Sequence, residues 1–197
     1  MTGGGRPPLL VLALAASFLL LVASLLIGAL SRPELPPYSL SATTPVAVGD
    51  SLVGSVTYTL DASAGDRWRE FHFARGAVVD SGPWDIAFRR NHVIAAVGAG
   101  ALDLGPLTFD SVREVPASGY AATEQGGDTV NPGIGKWYDY SMLSHLLASK
   151  HHVYAVRTAD GRYAKLELLA YYCKDVGAAC YTFRYAFQGD GSRRVTK

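Results

Sequence analysis

The sequence predicts an all-β fold, an antiparallel β domain preceded by a single amino-terminal transmembrane helix. Three observations predict it. Leu9 to Leu30 is an unbroken apolar run without a charge, a proline-rich stretch follows it, and most segments beyond alternate apolar and polar residues with the period of a half-buried strand. The chain divides accordingly into residues 1–8 as a cytoplasmic amino terminus, 9–31 as the transmembrane helix, 32–50 as a tether, 51–192 as an extracytoplasmic β domain and 193–197 as a basic tail.

The apolar run is close to the roughly 20 residues that a helix needs to cross a hydrocarbon core of about 30 Å. A secretory signal has a shorter apolar core, about 7 to 15 residues, and ends at a small-x-small cleavage site. Here Ala29-Leu30-Ser31 would put Arg32 and Pro33 directly after the cut, so an uncleaved anchor is the expectation. Arg6 precedes the run while Arg32 after it is offset by Glu34, which places the amino terminus inside. Ala13, Ser17, Ser24 and Gly28 fall along one side of the helix and would allow close approach of a neighbouring helix.

Pro33, Pro36, Pro37 and Pro45 exclude a helix in the tether and favour extended geometry. Beyond it, Leu52 to Leu60 sets Val56, Tyr58 and Leu60 against Ser55, Thr57 and Thr59, a strand pattern. Arg67 to Phe73 places Phe71 and Phe73 on one face. Trp84, Ile86 and Phe88 alternate with Asp85, Ala87 and Arg89, and Val93 to Val97 gives the next strand before a turn at Gly98 to Gly100. Val153 to Tyr172 reads as a hairpin, with Asp160-Gly161 supplying the positive φ of a tight turn. Tyr181 to Phe187 closes the set with Phe183, Tyr185 and Phe187 on one face. Met142 to Ser149 is the one segment beyond the anchor that also fits a helix, and it is too short to change the class.

Cys173 and Cys180 flank a loop containing Gly177 between two aromatic-rich strands. Cysteines facing each other across a hairpin mouth reach disulfide geometry, and such bonds persist outside the cytoplasm. Both this pair and the charge bias put the domain on the periplasmic side of a bacterial inner membrane. The net charge is +1, and the basic residues form no stripe with interleaved aromatics, so nucleic acid is not an expected partner. Arg193, Arg194 and Lys197 read as a solvated, frayed terminus.

No nucleophile, base and orienting group come together as a catalytic motif, and no Cys-x-x-Cys or histidine set completes a metal site, so neither an enzyme nor a metal centre is expected. His151 and His152 are adjacent on a strand and point to opposite faces; His72 and His92 sit singly in strand patterns and take structural roles by default. Gly133-Ile-Gly-Lys136 lacks the spacing of a phosphate loop and reads as a turn.

Trp84-Asp-Ile-Ala-Phe88, the Val153 to Tyr172 hairpin and Tyr181-Thr-Phe-Arg-Tyr-Ala-Phe187 occur in an order and spacing that resembles the HmuY family of bacterial cell-surface and secreted domains. The resemblance covers about Trp68 to Ser192 and implies an antiparallel all-β, HmuY-like fold. It also implies haem binding between two axial side chains, histidines or methionines, on loops at one end of the β structure. One family ligand lies in a segment whose equivalent here, Ala121 to Lys136, is short and has neither histidine nor methionine; the other lies near Met142, with His145 as a further candidate. Because half of that ligand pattern is missing and a spanning helix is present, the sequence-based expectation is an accessory or assembly subunit. It would need no cofactor and would dock through the bilayer onto the integral subunits of a larger membrane complex, such as a photosynthetic reaction centre with its antenna or a respiratory complex. The alternative is a haem- or tetrapyrrole-binding protein with Met142 or His145 as ligand.

Overall fold

The structure, a computed structural model, describes residues 8–30, 34–38, 52–126 and 129–196. Most of the expected amino terminus, tether residues 39–50 and Lys197 lie outside the described residues. Two compact units result: one joins the amino-terminal residues through Glu34 with Tyr140–Leu147, and the other comprises Leu35–Asp139 and Ala148–Lys197.

In the first unit the apolar run is a helix, α1 (Leu9–Leu30), as expected. The carbonyl of Pro8, just outside the helix, accepts the amides of Val11 and Leu12 at 2.9 and 3.3 Å, which provides for two of the otherwise unpaired donors of the first turn. Ser24 returns its hydroxyl to the Leu21 carbonyl at 2.7 Å, so this polar group is satisfied within the helix.

The second unit is built from antiparallel sheets. One has five strands in the order β1 (Leu52–Asp61), β11 (Gly177–Gln188), β10 (Tyr163–Cys173), β9 (Val153–Arg157) and β6 (Gly100–Asp103). The other has four, in the order β3 (Ala77–Val79), β2 (Arg69–His72), β4 (Ile86–Arg89) and β5 (His92–Ala95). β7 (Tyr138–Tyr140) and β8 (Leu147–Ser149) pair as a two-stranded ribbon, which replaces the helix that Met142 to Ser149 also fitted. Gly54 shows why one register position must be glycine: it has a φ of 135°, and a Cβ there would lie 2.7 Å from the Ala186 Cα on β11.

Between the two larger sheets lies an aromatic core. Phe71 of β2 meets Tyr58 of β1 at 4.8 Å between ring centroids, and Phe183 and Tyr185 of β11 at 5.2 and 5.4 Å, all edge-on. Phe88 of β4 adds Tyr181 and Phe183 at 4.9 and 5.2 Å. Asp85, expected as the polar alternate of its strand, is instead buried and accepts the Phe73 amide at 2.7 Å, extending the bonding of β2 past its last ladder pair. Burial raises its pKa above the ordinary carboxylate value, partly offset by that amide and by His72.

The other face of the five-stranded sheet is covered by residues 109–115 and by the carboxy-terminal tail. Phe109, Val112, Val115, Val153, Ala155, Ala186 and Val195 form one buried cluster there. Through Thr196 the tail is therefore not frayed: Val195 donates to the Arg113 carbonyl at 2.9 Å, Val115 donates to that of Arg193 at 3.0 Å, and Arg193 pairs with Glu114. The apolar Val195 among basic neighbours supplies the anchoring surface. Lys165 reaches through this layer and donates to the Phe109 and Val112 carbonyls, each at 2.8 Å; its burial lowers its pKa.

The Asp160-Gly161 turn joins β9 to β10 as expected, with Gly161 at a φ of 84°. Arg162 Nε donates to Asp160 at 2.8 Å and the Thr158 hydroxyl donates to it at 2.5 Å; these bonds, with the Arg162 bond the largest effect, pull the Asp160 pKa down to about 2. Cys173 and Cys180 form the expected disulfide, with a Cα–Cα distance of 5.7 Å and both residues buried.

Two outcomes follow from these contacts. The Cys173→Ser/Cys180→Ser variant is expected to lose about 2–3 kcal/mol of stability in urea unfolding, since the bond closes a short loop in the unfolded chain; equal midpoints with unreduced wild type would refute this. For Asp160, a folded pKa below the unfolded one contributes stability above the ordinary value of 3.8, which is lost as pH falls toward about 2. The stability difference between wild type and Asp160→Asn should therefore be constant from neutral pH to about 4 and shrink below it, as followed by thermal melts across that range.

Candidate functional site

The β7–β8 hairpin carries both candidate ligands, and its root is fixed in the core of the second unit. Trp137, just before β7, is fully buried; its indole N–H donates to the Asn91 carbonyl at 3.0 Å, and Asn91 in turn donates to the Tyr138 hydroxyl at 3.0 Å. The Trp137 ring packs at 5.3 Å on both Tyr171 and Tyr181. On the returning arm, Ser149 donates its hydroxyl to the Leu168 carbonyl at 2.5 Å and accepts the His151 amide at 3.0 Å.

Beyond this root the tip is a tight turn with its own bonding. Ser141 donates its amide to the Leu146 carbonyl and accepts the His145 amide at its own carbonyl, both at 2.9 Å. The Ser141 hydroxyl accepts the Ser144 amide at 3.2 Å. His145 has a φ of 56°, in the left-handed region where a non-glycine residue is uncommon, and this bend turns its ring back on Tyr140. The Tyr140 hydroxyl lies 2.5 Å from His145 Nδ1. Met142 is 73% exposed.

This arrangement presents His145 in the way metal-binding histidines are commonly held. A histidine that ligates metal through one ring nitrogen commonly has the other held by a hydrogen bond, which fixes tautomer and orientation. His145 has that partner in Tyr140, and among the described residues its Nε2 makes no hydrogen bond. Tyr140 carries no sequence signal as a site residue; its spacing of five residues from His145 is neither helical nor strand-like and becomes a contact only through the turn.

The segment equivalent to the other ligand loop is occupied by internal structure. Asn131, fully buried, donates to the Ala121 carbonyl at 2.9 Å and accepts the Gly133 amide at 2.9 Å. At Gly133 a Cβ would fall 2.0 Å from the Ala101 carbonyl oxygen, so only glycine fits; the expected turn at Gly133 to Lys136 is present. His152 is held by the Asp103 carboxylate at 3.0 Å and His151 approaches Glu167 at 3.5 Å, structural pairs on either side of the strand entry. Among the described residues, no three histidine, cysteine, aspartate or glutamate side chains gather where they could hold a metal ion. On α1, Ser24 and Gly28 are partly covered, whereas Ala13 and Ser17 are exposed.

Two packed antiparallel sheets with an additional two-stranded ribbon define the class as an all-β, two-sheet domain. The sequence matches the family described as HmuY protein over residues 64–185, and the chain belongs to that family. Similar solved structures include the apo HmuY analog of Tannerella forsythia, with 16% identity and a TM-score of 0.58 over 70% of this chain and 97% of that one. Another is a putative HmuY-like heme-binding protein of Bacteroides vulgatus, with 21% identity and a TM-score of 0.54 over 66% and 89%. A third is a putative lipoprotein of Bacteroides fragilis, with 18% identity and a TM-score of 0.55 over 66% and 86%. No curated protein matches the sequence.

These findings overturn the expectation of an accessory subunit docked onto a photosynthetic or respiratory complex. Family membership and the similar structures, one of them described as a putative HmuY-like heme-binding protein, point to HmuY-type binding proteins instead. The physical reason is that the family's scaffold, matched over residues 64–185, persists without a histidine or methionine between Ala121 and Lys136.

Proposed function

We propose that this protein binds haem or a related tetrapyrrole in the manner of its family, as a binding protein and not an enzyme. The observation that carries the reading is the exposed hairpin tip where Tyr140 holds His145 Nδ1, in a chain that belongs to the HmuY family. α1 serves as a single-pass anchor, with the amino terminus inside and the β domain on the periplasmic side; its length, its lack of charge and the disulfide support this placement.

His145 and Met142 are the residues that would hold the group, and haem, when bound, would supply a Lewis-acidic iron for their nitrogen or sulfur donor. The Tyr140 hydroxyl holds the orientation of the His145 ring through Nδ1, whichever of the two carries the shared proton, and in the tautomer with Nδ1–H donating to the Tyr140 oxygen Nε2 keeps the lone pair that a metal would take. Met142 offers a thioether that needs no deprotonation, from the same turn. A ligand from the Ala121 to Lys136 segment would have to be of another type, since neither histidine nor methionine occurs there.

Titration of the full chain in mild detergent with haem tests the reading. A shifted Soret band saturating at micromolar haem is expected, absent in His145→Ala and weakened roughly ten-fold in affinity by Tyr140→Phe, the usual cost of removing the group that orients a metal-bound histidine. Loss of the band in Met142→Ala, with His145→Ala unaffected, would assign the ligand to Met142. No shift at micromolar haem would refute the proposal.

A further inference from the structure

The geometry points to a second role for the same hairpin: its tip, Tyr140 to Leu147, sits in the lipid interface beside the outer end of α1. This rests on the reading of α1 as a membrane span. Within the first unit the tip and the helix are in contact, because a Cβ at Gly28 would lie 3.0 Å from the Leu143 carbonyl oxygen and 3.7 Å from the Leu143 Cβ. Gly28 is two residues from Leu30, the last of the helix, so it lies about 3 Å below the helix end at 1.5 Å per residue. The helix itself is about 33 Å long by the same rise, close to the thickness of the hydrocarbon core, so Gly28 falls at the boundary with the headgroups. Whatever packs on Gly28 shares that level.

The tip has the chemistry of such a level. Tyr140, Met142 and Leu143 are 49%, 73% and 59% exposed, an apolar group that water does not favour. From Tyr140 to Leu147 there is no aspartate, glutamate, lysine or arginine, and the nearest charges, Asp139 and Lys150, stand on the arms, paired at 4.0 Å. The turn amides of Ser141, Ser144 and His145 are bonded within the tip, which removes the largest cost of leaving water. Tyrosine at the edge of an apolar surface is the residue that interfaces collect. Lipid is the partner that continues the surface of α1.

The test uses full-length Leu143→Trp in phosphatidylcholine vesicles, with wild type giving the background of Trp68, Trp84 and Trp137. Alkaline carbonate washing comes first: a chain that washes off overturns the anchor reading and this inference with it. In chain that resists washing, the added tryptophan is expected to emit blue-shifted light and to be quenched by lipid brominated near the headgroup end of its acyl chains more than by lipid brominated near the methyl end. Emission unchanged by either lipid, whether the tip faces water or a protein, would overturn the inference while the anchor stands. Stronger quenching from the methyl end would also overturn it, by placing the tip in the bilayer interior. Tyr140→Trp gives an independent reporter should Leu143→Trp fail to fold, as judged by an intact disulfide and native circular dichroism.

Discussion

The contact on which the rest of the domain depends is the aromatic seam between its two sheets, centred on Phe71 and Phe183. β11 is the organising strand: it pairs with β1 on one side and β10 on the other, and its alternate residues Tyr181, Phe183 and Tyr185 point at β2 and β4. Large rings are effective here because each buries much apolar area and settles edge-on against several neighbours at once. The seam also reaches the functional hairpin, since Tyr181 packs on Phe88 at one side and on Trp137 at the other. The hairpin therefore has a root set in the core and a tip built from a few short hydrogen bonds.

Much of this fold was legible in the sequence wherever a strand runs long enough to show its period. β1, β9, β10 and β11 followed from alternation and from Asp160-Gly161, and the disulfide from cysteines facing across a hairpin mouth. The four-residue strands β2, β4 and β5 also showed in Phe71 and Phe73, in Trp84, Ile86 and Phe88, and in the Val93 to Val97 run, whereas β3, β6, β7 and β8 carry no comparable apolar pattern and their strand state is imposed by neighbours. β8 carried a competing helical signal from Leu146, Leu147 and Ala148, which pairing with β7 overrode. The docked tail was hidden by its arginines: one buried valine decided its course.

Site residues were legible to a lesser degree. Met142 and His145 stood out as residue types capable of ligating iron, but the Tyr140–His145 contact depends on a positive φ that no local motif announces. Asn131 organises the shortened loop through bonds to backbone that sequence spacing cannot reveal. The functional expectation failed for a related reason. The absence of histidine and methionine from Ala121 to Lys136 removed one ligand type and left the rest of the scaffold, with its family character, in place.

Helix, hairpin and domain then form one account, in which a family of haem-binding-type domains is here joined to an apolar segment long enough to span a membrane. The cargo proposed for that domain is a tetrapyrrole. The direct measurement is a pyridine haemochrome assay on the full chain extracted gently from haem-replete source membranes. The account predicts haem in stoichiometric amount with the polypeptide; protein isolated free of haem, and taking up none when it is added back, would contradict it.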